Sequence, residues 1–269
     1  MSDRPVVLVT GAPRRIGREI ALELAAAGHS IALHYRDAHP GAADEAEATA
    51  VQLRQAGAAH PIAVATFAAD LADEAACRAL VPAVLARLHR LDAVVNNASA
   101  FEYDTLATFG HAAMERLWRT NTAPAVLLTQ ALHAHLSAAG GEASGCVVNL
   151  SDQKLWNPNP DYLSYTLSKA ALEAATTMLA QACAPRLRVC GVAPGVSLPS
   201  GPMDEAEFAA AHRMTPLGRG STPQDIARAV RFLIESPAIT GTTLLVDGGQ
   251  HLQSQSRDVM FLANPARAA

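Results

Sequence analysis

Short apolar runs recur along the whole chain, and the segments between them are rich in alanine and leucine. A run of about four to eight residues that is apolar throughout is typical of a strand buried on both faces of a parallel sheet. Regular alternation of such runs with helical segments predicts a doubly wound α/β fold, with helices on both faces of the sheet. The predicted strands are residues 6–10, 30–35, 63–70, 92–98, 146–151, 188–194 and 243–249.

The chain is predicted to form one domain. Its 269 residues, half of them hydrophobic, are enough for a large core, and no segment between the strands is long enough to act as a linker. We therefore predict a single Rossmann-type domain with a seven-stranded parallel sheet over residues 1–252. Residues 253–269 are predicted to form a loose C-terminal tail that is ordered only by a partner subunit.

Charge and composition narrow the functional classes. A formal net charge of −4 gives no indication of a nucleic-acid or membrane partner, and no apolar run is long enough to span a membrane. The first residues lack the basic and apolar regions of a signal peptide. The four cysteines form no CxxC pair and lie in apolar stretches, which predicts buried, reduced thiols in a cytoplasmic protein with no metal site.

The turn after the first predicted strand has features of a phosphate-binding turn. Residues 10–17 read TGAPRRIG, and a helical segment follows at once. Glycine permits close approach of a ligand and a helix N-terminus attracts negative charge, so this turn is suited to a pyrophosphate. Only Gly11 and Gly17 remain of three glycines, because Arg15 occupies the middle position; an ordinary strand-to-helix turn is the alternative.

Tyr165 and Lys169 are four residues apart on a predicted helix, so both side chains emerge on the same face. A nearby ammonium group favours the phenolate and lowers the pKa of a tyrosine from its usual value of about 10. We therefore predict that Tyr165 donates a proton near neutral pH, with Lys169 as its partner.

Five features in a fixed order resemble the short-chain dehydrogenase/reductase family. They are TGAPRRIG, NNASAF at 96–101, Asn121, YTLSK at 165–169 and APG at 193–195. With TGTTLLVDGGQHL near the end, the resemblance covers about residues 4–252. Within the family, the chain is similar to the pteridine and dihydromonapterin reductases, which have an arginine in the glycine turn and an aspartate in place of the usual serine. The resemblance implies a nicotinamide cofactor, a Tyr/Lys catalytic pair and a homotetramer.

The resemblance also implies roles for individual residues. Lys169 would hydrogen-bond the nicotinamide ribose, and Asn121 would support a water that relays protons, unless it is only a polar residue near a helix bend. Asp70 would contact adenine, with a cap at the end of a strand as the alternative. The residues expected to bind the cofactor are Gly11, Arg14, Arg15, Ile16, Gly17, His34, Tyr35, Arg36, Asp70, Leu71, Asn97, Ala98, Tyr165, Lys169, Pro194, Gly195 and Ser197.

The end of the second predicted strand decides between NADH and NADPH. Asp37 lies 20 residues after Gly17, the spacing of an acid that binds the adenosine ribose of NAD. Arg36 precedes it, and Arg14 and Arg15 add cationic groups from the glycine turn. Guanidinium groups bind phosphate through paired donors, which favours NADPH.

The substrate residues follow the fourth predicted strand. By resemblance, Phe101 would hold a flat pterin against the nicotinamide, with Ser99 beside it, although a purely core role for Phe101 is the alternative. Tyr162 is expected on the same helical side as Tyr165, and Arg15 is expected to contact the polar edge of the pterin. Residues 196–214 are predicted to form a substrate-covering loop and a short helix, in which Ser197 and Leu198 match a family segment.

Asp152 lies 13 residues before Tyr165, where the family usually has a serine. A hydroxyl can donate to the oxygen of a ketone, whereas an ionised carboxylate can only accept, for example from the ring N–H of a dihydropterin. We expect partial burial to raise the pKa of Asp152 and to let it share a proton with Tyr165. The alternative is that Asp152 caps a loop and Ser151 is the working residue.

These observations predict an NADPH-dependent pteridine reductase that reduces dihydrobiopterin, dihydromonapterin or dihydrofolate to the tetrahydropterin. Asp152, Tyr165, Lys169 and Asn121 are the predicted catalytic residues. A short-chain ketone reductase for 3-oxoacyl thioesters and a non-catalytic dinucleotide-binding sensor are the alternatives.

Overall fold

The computed structural model describes residues 4–199 and 203–264. Within them, seven parallel strands form one sheet in the order β3-β2-β1-β4-β5-β6-β7, which confirms the predicted fold. The strands are β1 (Val6–Val9), β2 (Ser30–Tyr35), β3 (Val64–Ala68), β4 (Ala93–Asn96), β5 (Gly145–Leu150), β6 (Leu187–Pro194) and β7 (Thr243–Val246). Four strands, β1, β3, β4 and β7, are shorter than predicted, whereas β2 has the predicted bounds, β5 is shifted by one residue and β6 begins one residue earlier.

Helices cover both faces of this sheet. The helices are α1 (Arg15–Ala26), α2 (Ala42–Ala56), α3 (Glu74–Leu88), α4 (His111–Leu117), α5 (Ala123–Ala139), α6 (Leu163–Cys183), α7 (Glu205–Arg213), α8 (Pro223–Glu235) and α9 (Val259–Ala263). Apolar side chains of α1, α2 and α8 pack on one face, and those of α3, α5 and α6 pack on the other. Four cysteines are buried and unpaired among these side chains, as predicted. Among the described helices, none is long and apolar enough to cross a membrane.

The strand order reverses beside β1, which has β2 on one side and β4 on the other. A parallel sheet of this kind opens a crevice at the carboxyl ends of its strands, at the point of reversal. In this protein the segments that follow β1, β4, β5 and β6 all line one cavity there. The fold therefore gathers residues that are far apart in the sequence.

A buried ladder of amides and a hydroxyl joins the middle of the sheet to α6. The Asn96 amide donates to Asn149 Oδ1 at 2.8 Å, and the Asn149 amide donates to Thr176 Oγ1 at 2.9 Å. The Thr176 hydroxyl in turn donates to the carbonyl of Leu172 at 2.9 Å. Since α6 also carries Tyr165 and Lys169, this ladder fixes the position of the helix along β4 and β5.

The C-terminal segment corrects the sequence prediction. Residues 253–264 fold onto their own chain, where Met260 and Phe261 join a third apolar cluster with Tyr162 and Tyr165. Arg257 forms an ion pair of 2.8 Å with Asp161, which precedes α6. Apolar burial and this ion pair hold residues 253–264 on their own chain, so this part is not loose, and ordering by a partner subunit stays a prediction. Residues 265–269 lie outside the described residues.

We predict that Asn149→Ala destabilises the fold, because it leaves the buried Asn96 amide without an acceptor and removes the tie to Thr176. An unsatisfied buried polar group costs about 1–3 kcal/mol, so we expect the free energy of unfolding to fall by on the order of 2 kcal/mol. Urea denaturation measures it. The exposed Val51→Ala on α2 is the control and should change stability by less than about 0.5 kcal/mol. Equal denaturation midpoints for the two variants would contradict the role of the ladder.

Candidate active site

The glycine turn after β1 is packed tightly against the segment after β4. Gly11 has a φ of +63°, in the left-handed region that glycine adopts easily. A Cβ on Gly17 would lie 2.4 Å from the Gly11 carbonyl oxygen and 2.5 Å from Asn97 Nδ2. The Thr10 hydroxyl accepts hydrogen bonds from the N–H groups of Asn97 and Ala98, at 2.9 and 3.0 Å. These contacts leave no room for a side chain and keep a backbone surface open for a ligand.

His34 holds this turn in place through hydrogen bonds. Its Nδ1 accepts from the Gly11 N–H at 3.1 Å, and its Nε2 lies 3.1 Å from the carbonyl of Ala69. This arrangement requires a neutral ring with the proton on Nε2. Burial lowers the pKa of His34 to about 4, which agrees with a neutral ring. Both ring nitrogens bond protein atoms, so the side chain positions the turn; His34 also lines the cavity, and its contact with the cofactor stays a prediction.

Three arginines surround the outer end of the cavity in different ways. Arg36 is exposed directly after β2, and its side chain forms no ion pair or hydrogen bond within the described part of the chain. Arg14 forms an ion pair of 2.7 Å with Glu45 and also contacts His39. Arg15 has a φ of 52° and donates to the carbonyl of Pro199 at 2.9 Å. Arg36 is therefore the arginine whose donors are available to a ligand.

The cavity has a volume of about 760 Å³, and every predicted site residue except Asn121 and Tyr162 lines it. Some of these side chains also have structural partners. Asp70 Oδ1 accepts from the Ala72 N–H at 3.0 Å, which is the capping alternative, while the residue still faces the cavity. The Ser197 hydroxyl donates to the Gly195 carbonyl at 2.9 Å. The predicted short helix after this loop is present as α7, and residues 200–202 of the loop lie outside the described residues.

Asn121 lies behind the cavity wall and does not itself line the cavity. It is part of a π-helical turn, Trp118–Thr122. Its amide donates to the Ala100 carbonyl and to the Ser168 hydroxyl, both at 3.0 Å. Its carbonyl oxygen accepts from the Ala100 N–H at 2.8 Å and from the Ser99 hydroxyl at 3.2 Å. These four bonds use the full capacity of the Asn121 side-chain amide, which positions residues 99–100, and support of a relay water by Asn121 stays a prediction.

Tyr165 is directed at Asp152 and not at Lys169. The Tyr165 hydroxyl donates to Asp152 Oδ2 at 2.8 Å. Burial, followed by the negative charge of Asp152, raises the pKa of Tyr165 well above its usual range. The Lys169 ammonium donates to the Leu150 carbonyl at 2.7 Å, and burial lowers its pKa to about 8. The prediction that Lys169 lowers the pKa of Tyr165 is therefore wrong for this arrangement.

Asp152 is held at both carboxylate oxygens. Oδ1 accepts from the Lys154 N–H at 2.9 Å, while Oδ2 accepts from Tyr165. Burial raises the pKa of Asp152, and the hydrogen bonds from Lys154 and Tyr165 oppose this effect. The predicted direction of the shift is confirmed. The neighbouring Ser151 hydroxyl is buried and has no hydrogen-bond partner among the described residues.

Aromatic rings form the wall beside this pair. Phe101 stacks on Tyr162 with centroids 4.2 Å apart, and it meets the edge of Tyr165 at 4.7 Å. Phe101 is 43% exposed and lines the cavity, so it is not a core residue. Tyr162 precedes α6 with a φ of 55° and is not part of the helix, but Tyr162 and Tyr165 both contact Phe101 and so lie on the same side, as predicted. Tyr162 lies against Phe101 and supports that ring.

Sequence reasoning missed part of the cavity wall. Lys154 follows Asp152 by two residues, and this closeness to a candidate catalytic acid was a signal that could have found it. Asp258, Val259 and Met260 also line the cavity. Nothing in their local sequence indicates this, because their position depends on the C-terminal segment folding back.

Comparisons with known proteins agree with this geometry. The family model described as enoyl-(acyl carrier protein) reductase matches residues 11–251. The chain belongs to the short-chain dehydrogenase/reductase family. It is an oxidoreductase on that ground, and the residues that line the candidate cavity lie in the matched region except Asp258, Val259 and Met260.

Three similar proteins have different activities. Pteridine reductase 1 of Leishmania tarentolae is 32% identical, with 92% of this chain and 96% of that protein covered. The 3-oxoacyl-[acyl-carrier-protein] reductase FabG of Staphylococcus aureus is 31% identical, covering 91% and 97%. The crystal structure of FolM alternative dihydrofolate reductase 1 from Brucella canis, complexed with NADP, is 36% identical with a TM-score of 0.86, covering 96% and 98%. These comparisons establish the family of this chain, whereas the three relatives are named for different substrates.

We predict that Gly17→Ala weakens binding of NADPH, used as the probe, because the added Cβ forces the glycine turn away from Asn97. Overpacking of this kind costs about 1–3 kcal/mol, or roughly 5- to 150-fold in Kd. Fluorescence titration of the purified protein measures it. Gly110→Ala is the matched control, since nothing lies within 4 Å of that position. Unchanged affinity in Gly17→Ala would show that the turn does not contact the nucleotide.

Proposed function

We propose that this oxidoreductase is an NADPH-dependent pteridine reductase that reduces a dihydropterin to the tetrahydropterin. The observation that carries the proposal is the 2.8 Å hydrogen bond from the Tyr165 hydroxyl to the Asp152 carboxylate, inside the cavity. An acid at this position suits a substrate with ring N–H groups better than it suits a ketone. Similarity to a pteridine reductase and to an alternative dihydrofolate reductase supports the same class of substrate.

The residues at the outer end of the cavity fit NADPH. The space that a Cβ on Gly17 would fill, and the positive φ of Gly11, suit close approach of a pyrophosphate to the backbone. Arg36 offers guanidinium donors for a 2′-phosphate. The NADP complex of the Brucella canis relative supports this choice. When bound, NADPH supplies the hydride.

Asp152 and Tyr165 supply the proton in this proposal. Reduction of a C=N bond requires a proton on nitrogen, and the Tyr165 hydroxyl and a protonated Asp152 can both donate one. The raised pKa of Asp152 increases its protonated fraction near neutral pH. When Asp152 is ionised, its carboxylate can accept a hydrogen bond from a ring N–H of the substrate. The pair thus offers both a donor and an acceptor to one heteroaromatic edge.

Phe101 is proposed to stack on the pterin ring. Its exposed face lines the cavity and its other face is supported by Tyr162, so the ring is fixed before substrate binds. A preordered aromatic surface loses little side-chain entropy when a flat ligand stacks on it.

Reduction of 3-oxoacyl thioesters is the second candidate, and one observation favours it. The Ser151 hydroxyl is buried beside Asp152 without a partner among the described residues, and it lines the cavity. A free hydroxyl donor is what a ketone oxygen requires. The similarity to FabG of Staphylococcus aureus is compatible with this candidate.

A substrate panel distinguishes the candidates. NADPH oxidation is followed with dihydrobiopterin, dihydromonapterin, dihydrofolate and a 3-oxoacyl thioester at one enzyme concentration. We expect the highest kcat/KM with one of the three pterin substrates. A higher kcat/KM with the thioester would replace the proposal by the second candidate, and no turnover with any of them would favour a non-catalytic sensor. The homotetramer implied by the family resemblance remains a prediction for sedimentation analysis.

We predict that Asp152→Ala lowers kcat with the preferred dihydropterin by a factor on the order of 10² or more, as expected for loss of a general acid. Ser151→Ala is the matched control one residue away and should have a small effect. Steady-state kinetics with saturating NADPH measure both. If Ser151→Ala is the more damaging change, the hydroxyl and not the carboxyl group serves the substrate.

We predict that Arg36→Ala narrows the preference for NADPH over NADH by about 10- to 100-fold, the range expected when a hydrogen-bonded partner of a charged group is lost. Ratios of kcat/KM for the two cofactors measure the effect. Asp37→Ala is the control, because it removes a neighbouring charge that repels phosphate and should not reduce the preference. Equal use of both cofactors by the unchanged protein would refute the role of Arg36.

A further inference from the structure

A buried ion pair that the proposed reaction does not use lies in the wall of the same cavity. Lys154 Nζ and Asp258 Oδ2 are 3.1 Å apart, and their side chains are 4% and 18% exposed. The ammonium also lies 5.3 Å from the centroid of the Tyr162 ring. Burial of two charges is costly and is tolerated when geometry fixes both partners. A pair in this position therefore requires a functional explanation.

Lys154 is connected directly to Asp152. Its backbone N–H donates to Asp152 Oδ1 at 2.9 Å, in the short 3₁₀ turn Gln153–Leu155 that Asp152 caps. The Lys154 side chain extends from the same residue and is anchored at its far end by Asp258. The ion pair thus holds the turn whose N–H fixes one oxygen of Asp152, while the other oxygen accepts from Tyr165.

Asp258 is itself fixed by two backbone contacts. Its Oδ1 accepts from the Met260 N–H at 3.1 Å and caps α9. Its own N–H donates to Asp161 Oδ2 at 2.7 Å, just before α6 begins. Its carboxylate therefore has a defined position, although it lies more than a hundred residues after Asp152 in the sequence.

We propose that Lys154 and Asp258 act through the Asp152–Tyr165 pair by their opposing charges, so that the C-terminal segment completes the proton-donating site. This inference rests on the proposed function for the role of that pair. Removing either charge should alter Asp152, and the two removals should alter it in opposite directions.

The charges that face the Asp152–Tyr165 pair come from several elements. Lys169 approaches from α6 and Asp258 from the segment before α9. The Lys154 ammonium is paired with Asp258, and Asp161, Arg257 and Tyr162 surround this ion pair. The Asp258 carboxylate raises the pKa of both Asp152 and Tyr165, after the larger effect of burial. Neutralising Asp258 alone leaves the Lys154 cation, which favours ionised Asp152. Neutralising Lys154 alone leaves the Asp258 anion, which disfavours it.

The test is titration of Asp152 by carboxyl ¹³C NMR in the protein without cofactor or substrate, with the signal assigned through its loss in Asp152→Asn. Four proteins are compared: unchanged, Asp258→Asn, Lys154→Met and the double variant. The amide introduced by Asp258→Asn keeps a capping oxygen for α9, and the double variant leaves neither partner of the ion pair as an unpaired buried charge. Glu23→Gln, which removes a carboxylate from an ion pair with Arg231 on the α1 and α8 side, is the matched control.

We expect Asp258→Asn to lower the pKa of Asp152 and Lys154→Met to raise it, each by about one pH unit. The double variant should titrate near the unchanged protein, and Glu23→Gln should titrate with it. The pH profile of kcat/KM should move in the same directions. Shifts of the same sign in both single variants, or no shift in either, would overturn the proposal. If each substitution acted only by displacing the C-terminal segment, both would change the pKa of Asp152 in the same direction. This titration needs no substrate, so failure of the pterin assay leaves its outcome interpretable.

Discussion

The hydrogen bond between Tyr165 and Asp152 is the contact on which the account of this site depends. It joins two groups that both favour their protonated forms when buried, and it does so at 2.8 Å inside a cavity lined by aromatic and apolar side chains. A lysine beside a phenol, with no carboxylate nearby, would lower the pKa of the phenol. A phenol that donates to a carboxylate keeps its proton instead. The pair therefore keeps a proton in the cavity, where the proposed reaction would deliver it to a substrate nitrogen.

The surrounding structure serves to hold this pair at the crevice. The ladder from Asn96 through Asn149 to Thr176 sets the position of α6, which carries Tyr165. Lys169 donates to the end of β5, immediately before the residues that contain Asp152. Asn121, in its π-helical turn, fixes the segment that leads to Phe101. Each of these polar contacts is buried, where the loss of a partner is expensive, so the site is rigid before any ligand binds.

The fold was predictable because it depends on periodic burial. Seven apolar runs alternate with helical segments, and parallel sheets follow from that pattern almost independently of side-chain detail. The sequence also predicted the glycine turn, Arg36 and the Asp152/Tyr165 spacing, since each depends on residues close together in the sequence. Three features could not be predicted from the sequence in this way. Lys169 bonds a carbonyl that only the tertiary fold brings near, Asn121 saturates its hydrogen bonds across two helices, and the left-handed φ of Tyr162 breaks the helical pattern. The C-terminal segment belongs to the same class, because its order depends on Asp161 and on the aromatic cluster around Tyr162.

The most direct test of the central claim is a crystal structure of the protein with NADP⁺ and a dihydropterin. We predict that the Asp152 carboxyl group and the Tyr165 hydroxyl both lie within about 2.6–3.2 Å of polar atoms on one edge of the pterin, with Phe101 stacked on its ring. A pterin that contacts neither group, or that bonds the Ser151 hydroxyl while Asp152 stays bonded only to Tyr165 and Lys154, would contradict it.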